Sequence, residues 1–125
     1  MKLAEKERLY IIGQWGPEAA ERCYGPFVTG TTAQAQDIET NIFLMMDAVY
    51  LMKKGAAEKV KAPGFPPLPD LIDAFLEAGG KIQVCSNSVE FRGLTQEQLR
   101  DPRIEIAGAA TMIDETLKHT RVLTF

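Results

Sequence analysis

Cys85 is the side chain of this sequence best placed to do chemistry. It follows the strand-like segment 81–84 and precedes Ser86, Asn87 and Ser88, residue types that favour the start of a helix. The backbone N–H groups of a helix start carry a partial positive charge, which would stabilise a thiolate. The same amides could hold a persulfide, which is also an anion. The opposing interpretation is a buried, unreactive thiol, because free cysteine is among the most buried residue types.

The remaining sulfur and imidazole groups predict little additional chemistry. Cys23 could approach Cys85 as a second thiol, but an ordinary helical cysteine is favoured, since a disulfide requires Cα atoms within about 7 Å. His119, the single histidine, should lie at the opposite edge of the sheet and act as a cation at a helix C-terminus. Two distant cysteines and one histidine do not have the spacing of a zinc site. We therefore expect no metal.

Three other side chains are candidates for a pocket near Cys85. Asp47 follows an apolar segment and could serve as a base or an anchor, although an aspartate there more often caps the next helix. Trp15 could line a pocket or an interface, or it could only pack against neighbouring side chains. Arg92 could stabilise an anion near Cys85, or lie on the surface at a helix end. The sequence has neither a GxGxxG nor a Walker A pattern, so we expect no nucleotide cofactor.

The elements that would position these residues alternate between strand and helix. Strands are predicted over 9–13, 40–46, 81–84, 103–106 and 121–125, and helices over 48–54, 70–78, 87–91 and 109–118. A further helical region over 18–37 is interrupted at Gly25-Pro26, so it is either kinked there or has its main body starting at Pro26. The residues 95–98 predict a capping box that begins another short helix. In the last helix Met112, Ile113 and Leu117 are expected to face the sheet. The alternation predicts an α/β fold with a parallel sheet covered on both faces. Such sheets bind ligands at the carboxyl ends of their strands, where Trp15 and Cys85 should lie.

Composition narrows the class of protein. The chain has 125 residues, 46% hydrophobic and 25% charged, which predicts one globular domain over 1–125. The formal net charge of -3 argues against a nucleic-acid partner, which would require a basic stripe. Wholly apolar runs such as 42–46 are far shorter than the roughly 20 residues of a membrane span. The charged start of the chain does not resemble a signal peptide. We expect a cytoplasmic protein with reduced thiols.

The segment around Cys85 also has the arrangement of a known family. A strand leads into the cysteine, and the short helix after it ends at Arg92-Gly93. Together with blocks at 42–55, 62–68, 75–80, 106–110 and 121–125, this segment resembles the DsrE/DsrF/TusD-like proteins, especially the branch labelled predicted peroxiredoxins. The resemblance implies a three-layer α/β/α sandwich around a five-stranded parallel sheet. It also implies a homo-oligomer, a trimer or a hexamer.

The resemblance further implies a role for one residue. Cys85 matches the cysteine on which members of the family take up sulfane sulfur as a persulfide and exchange it with a small carrier protein of the TusA type. Asn87 and Ser88 stand where some members have a second cysteine, which favours a single-thiol relay. The alternative is a non-enzymatic, oligomeric binding subunit of a sulfur-metabolism or redox complex. Peroxide reduction ranks last, because its resolving thiol would have to be Cys23.

Overall fold

The computed structural model describes residues 6–125, and within them five parallel strands form one sheet. The strands run in the spatial order β4-β3-β2-β1-β5, with all pairs parallel. Their bounds are β1 Arg8–Gly13, β2 Glu39–Leu44, β3 Lys81–Cys85, β4 Glu105–Ala107 and β5 Arg121–Thr124. The α-helices are α1 Gly25–Ala35, α2 Leu68–Glu77, α3 Ser86–Phe91 and α4 Ala109–Lys118. Short 3-10 helices occupy Arg22–Tyr24, Met46–Met52, Ala57–Lys59 and Gln96–Gln98. The predicted α/β fold is confirmed.

The first face of the sheet carries the larger hydrophobic core. Ile11, Ile42 and Val84 point to this face and pack with side chains of α1, α2 and α3. Gly30 allows α1 to pack closely on α2, because a Cβ there would lie 2.9 Å from the Phe75 ring. The strand order explains this arrangement: β1 to β4 advance in one direction, so right-handed connections place the first three helices on one face.

The second face is covered by α4, which connects β4 to β5 in the opposite direction. Met112 packs there against a smaller cluster formed by Tyr10, Phe43, Cys85 and Ala107. The prediction that Ile113 and Leu117 also face the sheet is wrong. Both are exposed, at 53% and 80% respectively.

The orientation of α4 has a local cause at each end of the helix. Gly108 connects α4 directly to the end of β4, and His119 at its C-terminus stacks on the buried Tyr10 ring with centroids 4.8 Å apart. These two attachments fix which side of the helix faces the sheet. The inward side then carries Thr111, Met112, Glu115 and Thr116, all of them half-buried.

One segment differs from its predicted form, and another decides between two predicted alternatives. Strand β2 ends at Leu44, and the predicted α-helix after it is a 3-10 helix that starts at Met46 with φ +54°. This left-handed backbone turns the chain sharply away from the sheet, which the residue type did not indicate. The main body of the first helix begins at Gly25-Pro26, since proline is favourable in a first turn. Within residues 6–125 no helix is long and apolar enough to cross a bilayer.

Candidate functional site

Cys85 is the last residue of β3 and the N-cap of α3. It pairs in register with Ala107 of β4. After β3 the chain enters α3, whose Val89 packs in the first core. After β4 it enters α4, which lies on the second face. In open α/β sheets, ligands bind in the crevice where neighbouring connections separate in this way. The prediction that Cys85 lies at the carboxyl edge of the sheet is thus confirmed.

The Cys85 side chain points to the second face and has apolar neighbours. It forms a cluster with Tyr10, Phe43 and Ala107, and Met112 of α4 packs against this cluster. The residue is 7% exposed. A thiol in this position is largely shielded from water.

The three residues after Cys85 form the first turn of α3. Their backbone N–H groups have no carbonyl of the same helix four residues earlier to donate to, so they are the amides that a helix start offers to an outside partner. The side chains have other roles: the Ser88 hydroxyl accepts a hydrogen bond from the Met46 backbone N–H at 2.9 Å. Ser86 lies beside the start of α4, since a side-chain carbon at Gly108 would approach the Ser86 hydroxyl at 3.5 Å.

Asp47 and Arg92 form an ion pair next to this turn. The Arg92 Nε and Nη2 atoms both donate to Asp47 Oδ1, at 3.1 and 2.8 Å, and Nη1 donates to the Ser88 carbonyl at 3.2 Å. The guanidinium also lies over the Tyr50 ring, 5.6 Å from its centroid. The sequence favoured Asp47 as the cap of the next helix, but its side chain makes no capping hydrogen bond. It binds Arg92 at the end of α3 instead. This pair therefore links the segment after β2 to the helix that begins at Cys85.

Cys23 lies on the other side of the sheet. It is fully buried in the first core, while Cys85 belongs to the second. Its thiol donates to the Ala20 carbonyl at 3.3 Å. Burial, together with the charge of Glu18, raises the pKa of Cys23 to about 11. The structure thus keeps the two thiols apart, and Cys23 remains protonated at neutral pH.

Trp15 lines two adjoining concavities at the carboxyl end of β1. One is a groove of about 710 Å³ with mainly apolar walls, in which the Arg22 guanidinium lies 4.9 Å from the centre of the Trp15 ring. The other has about 240 Å³ and is shared with Met46, Asp47 and Phe125. Trp15 and Asp47 thus line the same concavity, and Arg92 is connected to it through its ion pair with Asp47. Cys85 lines neither concavity among the residues that the structure describes.

His119 occupies the C-cap position of α4, as predicted, and its side chain lies inside the protein. Its Nδ1 is 2.6 Å from the Glu115 carbonyl, which accepts the proton of that nitrogen. Among residues 6–125, its buried Nε2 has no hydrogen-bond partner. The Tyr10 ring on which it stacks donates its hydroxyl to Gln83 at 3.3 Å. Burial raises the pKa of Tyr10, so this hydroxyl stays protonated.

Sequence reasoning did not identify two residues that shape this edge. Met46 adopts a left-handed backbone that is uncommon outside glycine, asparagine and aspartate, so its residue type carried no signal. Gly16 allows the turn after β1 to touch the next segment, because a Cβ there would lie 2.1 Å from the Asp47 carbonyl oxygen. The Gly16-Pro17 pair did mark a turn in the sequence, but the partner of that turn required the tertiary structure.

Comparison with known proteins gives relatives over nearly the whole chain. A family model described as the DsrE/DsrF-like family matches residues 7–125. Uncharacterized protein MJ0760 of Methanocaldococcus jannaschii is 41% identical over 108 residues, which are 86% of this chain and 39% of that protein. The chain thus spans about two-fifths of that relative. Uncharacterized protein MJ0989 of the same organism is 35% identical, over 83% of this chain and 84% of its own length.

Solved structures with the same fold include bacterial and archaeal proteins. The YchN protein of E. coli superposes with a TM-score of 0.80 at 21% identity, covering 95% of this chain and 99% of its own. MTH1491 of Methanobacterium thermoautotrophicum, a protein of unknown function, superposes with a TM-score of 0.69 at 10% identity, with coverage of 95% and 99%. At these identities the likeness shows the fold alone.

Proposed function

This chain belongs to the DsrE/DsrF-like family, and we propose that it relays sulfur by carrying a sulfane sulfur atom as a persulfide on Cys85. One observation carries the proposal: Cys85 ends β3 and caps α3 in the crevice where the connections after β3 and β4 separate. A thiol in this position has free helix amides on one side and the carboxyl edge of the sheet, where ligands bind, on the other.

The proposed reaction moves one sulfur atom between thiols without net oxidation. The Cys85 thiolate attacks the outer sulfur of a donor persulfide, R–S–SH. A new S–S bond forms on Cys85, the S–S bond of the donor breaks, and the donor leaves as the thiolate R–S⁻. An acceptor thiolate then attacks the outer sulfur of the Cys85 persulfide and restores the Cys85 thiolate.

The first turn of α3 would stabilise the charge that this reaction places on sulfur. The backbone N–H groups of Ser86, Asn87 and Ser88 are the donors that a helix start offers to an anion. In this proposal the Ser88 side chain acts indirectly, because its bond to Met46 holds the turn. The ion pair between Asp47 and Arg92 has the same positioning role at the other end of α3.

The partner in this proposal is a protein with its own reactive thiol, a small carrier of the TusA type. The relay requires a reduced Cys85 and therefore a reducing compartment, the cytoplasm. Family membership also supports a homo-oligomer, a trimer or a hexamer, as the working assembly. The mass of the purified chain in solution tests this part of the proposal.

The direct test is uptake of sulfur by the purified protein. After incubation with a low-molecular-weight persulfide and removal of the excess, the intact mass should rise by about 32 Da, the mass of one sulfur atom. The adduct should disappear when a free thiol is added as acceptor. A mass that does not change under these conditions would contradict the relay.

Two matched cysteine variants assign the adduct to one residue. Cys85→Ala should lose it, whereas Cys23→Ala should retain it, because Cys23 is fully buried on the other face of the sheet. An adduct that persists in Cys85→Ala would place the chemistry elsewhere.

A second candidate function is a non-enzymatic binding subunit of a sulfur-metabolism or redox complex. The low exposure of Cys85, 7%, favours it, since a structural cysteine is expected to be buried. If so, Cys85 should resist both sulfur transfer and alkylation in the folded protein. Peroxide reduction has less support, because the sheet separates Cys85 from Cys23, the thiol that would have to resolve it.

A further inference from the structure

The larger concavity at the carboxyl end of β1, the Trp15 groove, has no role in the proposed relay. Its apolar walls are formed by Trp15, Tyr24, Val28, Phe65 and Phe125. All of them except Tyr24 are between 36% and 41% exposed, although large apolar side chains on a surface are usually scattered singly. The volume of the groove, about 710 Å³, is in the range of pockets that bind small organic molecules.

The walls of the Trp15 groove are held in place by contacts within the chain. The Tyr24 hydroxyl donates to the Pro66 carbonyl at 2.8 Å, and the Tyr24 ring packs against Phe65 with centroids 4.7 Å apart. Phe125 is fixed through its backbone, whose N–H donates to the Ile12 carbonyl at 2.8 Å. Because these walls are already ordered, a ligand would lose little affinity to their immobilisation.

Two charged side chains of opposite sign line this mainly apolar groove. Glu21 and Arg22 are both exposed there. The Arg22 guanidinium lies over the Trp15 ring, a contact that leaves its positive charge without a counter-charge. Within residues 6–125 neither side chain forms a salt bridge, with the other or with a third residue. The groove thus offers one cationic and one anionic group beside an aromatic surface.

This pair of charges restricts the chemistry of the ligand. A simple organic anion would be attracted by Arg22 and repelled by Glu21, and for an organic cation the two effects would be exchanged. A zwitterion satisfies both groups, with its carboxylate at Arg22 and its ammonium at Glu21. The smaller concavity beside Trp15 does not offer this combination, because the charged side chains among its described lining residues are Glu18 and Asp47.

We propose that the Trp15 groove binds a free α-amino acid with a large apolar side chain. The carboxylate of the ligand binds Arg22, its ammonium group binds Glu21, and its side chain packs on the aromatic walls. An aromatic ligand side chain suits these walls, since aromatic pairs gain more than the area that they bury provides. The inference goes beyond the proposed function, because it concerns another part of the molecule and requires no reaction at Cys85.

Fluorescence can follow this binding directly, because Trp15 is the single tryptophan of the chain. Titration with L-phenylalanine, excited at a wavelength that phenylalanine does not absorb, should change the Trp15 emission to saturation, and calorimetry should give a stoichiometry of one ligand for each chain. An absent response would overturn the proposal. A groove that another protein chain covers would give that result, since Trp15 would then be inaccessible.

Analogues of L-phenylalanine test each part of the ligand separately. 3-Phenylpropanoate lacks the ammonium group, phenethylamine lacks the carboxylate, and glycine lacks the apolar side chain. We expect each to bind more weakly than L-phenylalanine by about fivefold or more, because each loses a charge-assisted contact or the apolar contact. If 3-phenylpropanoate or phenethylamine binds as tightly as L-phenylalanine, the groove does not recognise a zwitterion and the proposal is wrong.

Neutral variants of the two charged residues assign each ligand group to its partner. Arg22→Gln and Glu21→Gln should both weaken the binding of L-phenylalanine by about fivefold or more in calorimetry. Their effects on the analogues should be opposite: Glu21→Gln strengthens the binding of 3-phenylpropanoate, and Arg22→Gln strengthens that of phenethylamine, because each removes a repulsion. Variants that leave L-phenylalanine binding unchanged, or that affect both analogues in the same direction, would contradict the assignment.

Matched controls change the same residue types outside the Trp15 groove. Glu97 and Arg103 are exposed and line a different concavity. Glu97→Gln and Arg103→Gln should keep the affinity for L-phenylalanine, and a loss in either would count against the assignment to this groove. Circular dichroism and cooperative urea unfolding verify that each variant is folded. The persulfide adduct on Cys85, measured in the same samples, reports separately on the proposed function.

Discussion

At the scale of single residues, the two cysteine side chains lie in different surroundings. Cys85 ends a strand at the carboxyl edge and has free helix amides next to it, whereas Cys23 is sealed in the larger core and bound to the Ala20 carbonyl. Reactive thiols occur in partly accessible surroundings that stabilise the anion, and structural thiols in apolar ones. Cys23 has only the features of a structural thiol, whereas Cys85 combines both kinds, since it precedes the first turn of α3 but is 7% exposed among apolar side chains.

Cys23 should make the stability of the protein depend on pH in the alkaline range. Its pKa is raised from 9.0 in an open chain to about 11 in the folded state. Between these values the unfolded chain loses the proton and the folded chain keeps it, so stability is intact below about pH 9 and falls as pH rises towards 11. We expect a loss of up to about 2 kcal/mol in the free energy of unfolding, measured by urea denaturation at several pH values.

The variant Cys23→Ala isolates this contribution. It should have a flatter dependence of stability on pH between 9 and 11 than the unmodified chain. Tyr10, whose pKa is raised by burial, remains in both proteins and cancels in the comparison. Tyr24 does not cancel completely, because its pKa is raised by burial and also by the charge of Cys23, so the variant removes this coupling together with the thiol. If stability falls equally steeply with pH in the two proteins, Cys23 does not have the raised pKa that its burial implies.

At the scale of elements, α3 depends on its neighbours for its position. A helix of six residues is far too short to be stable alone. It is held by Val89 in the first core, by the Ser88 bond to Met46, and by the ion pair of Arg92 with Asp47. These contacts determine the orientation of the turn that follows Cys85.

The ion pair between Asp47 and Arg92 should contribute measurably to stability. The Arg92 side chain is 17% exposed and donates twice to one carboxylate oxygen, which is better geometry than most surface pairs have. A double-mutant cycle with Asp47→Ala and Arg92→Ala should give a coupling of about 1 kcal/mol in urea denaturation. The exposed pair of Arg103 and Glu77 is the matched control and should give less. Equal couplings would argue against a special role for Arg92.

The contact between α1 and α2 depends on the absence of a side chain at Gly30. A Cβ there would lie 2.9 Å from Phe75 and 3.2 Å from the Ile42 side chain. Gly30→Val should therefore destabilise the protein by about 2–3 kcal/mol through overpacking, as measured by urea denaturation. Thr32→Val on the exposed side of α1 is the control and should change stability little. A neutral Gly30→Val would mean that the two helices can separate without cost.

At the scale of the whole molecule, the two faces of the sheet are unequal. The first carries most of the buried hydrophobic residues, and the second carries a small cluster under one helix. Cys85 belongs to the second face, so the proposed chemistry takes place on the less covered side of the sheet.

Strand β5 should be indispensable to the fold. It pairs with β1 on the side opposite to β2, and it covers a strand whose Tyr10 and Ile11 are completely buried. Deletion of residues 121–125 would leave β1 as an exposed apolar edge, which promotes aggregation. We expect a large loss of soluble protein and of cooperative unfolding by circular dichroism. A truncated chain that unfolds at the same urea concentration would contradict this role.

The sequence by itself determined the fold class, the order of strands and helices, and the position of Cys85 between a strand and a helix. These follow from local patterns: the spacing of apolar residues, and glycine, proline and capping residues at the ends of elements. The capping box at Thr95 is an example, since its backbone N–H donates to the Gln98 side chain as predicted.

The tertiary structure alone decided which side chains meet. It placed Cys23 and Cys85 on opposite faces, joined Asp47 to Arg92 across 45 positions, and turned Ile113 and Leu117 outwards. Periodicity predicts that a helix has an apolar side, but not which way that side points. In α4 the direction is fixed by Gly108 at one end and by His119 on Tyr10 at the other. Such contacts between distant segments are absent from any local pattern, because they depend on how the strands are ordered in the sheet.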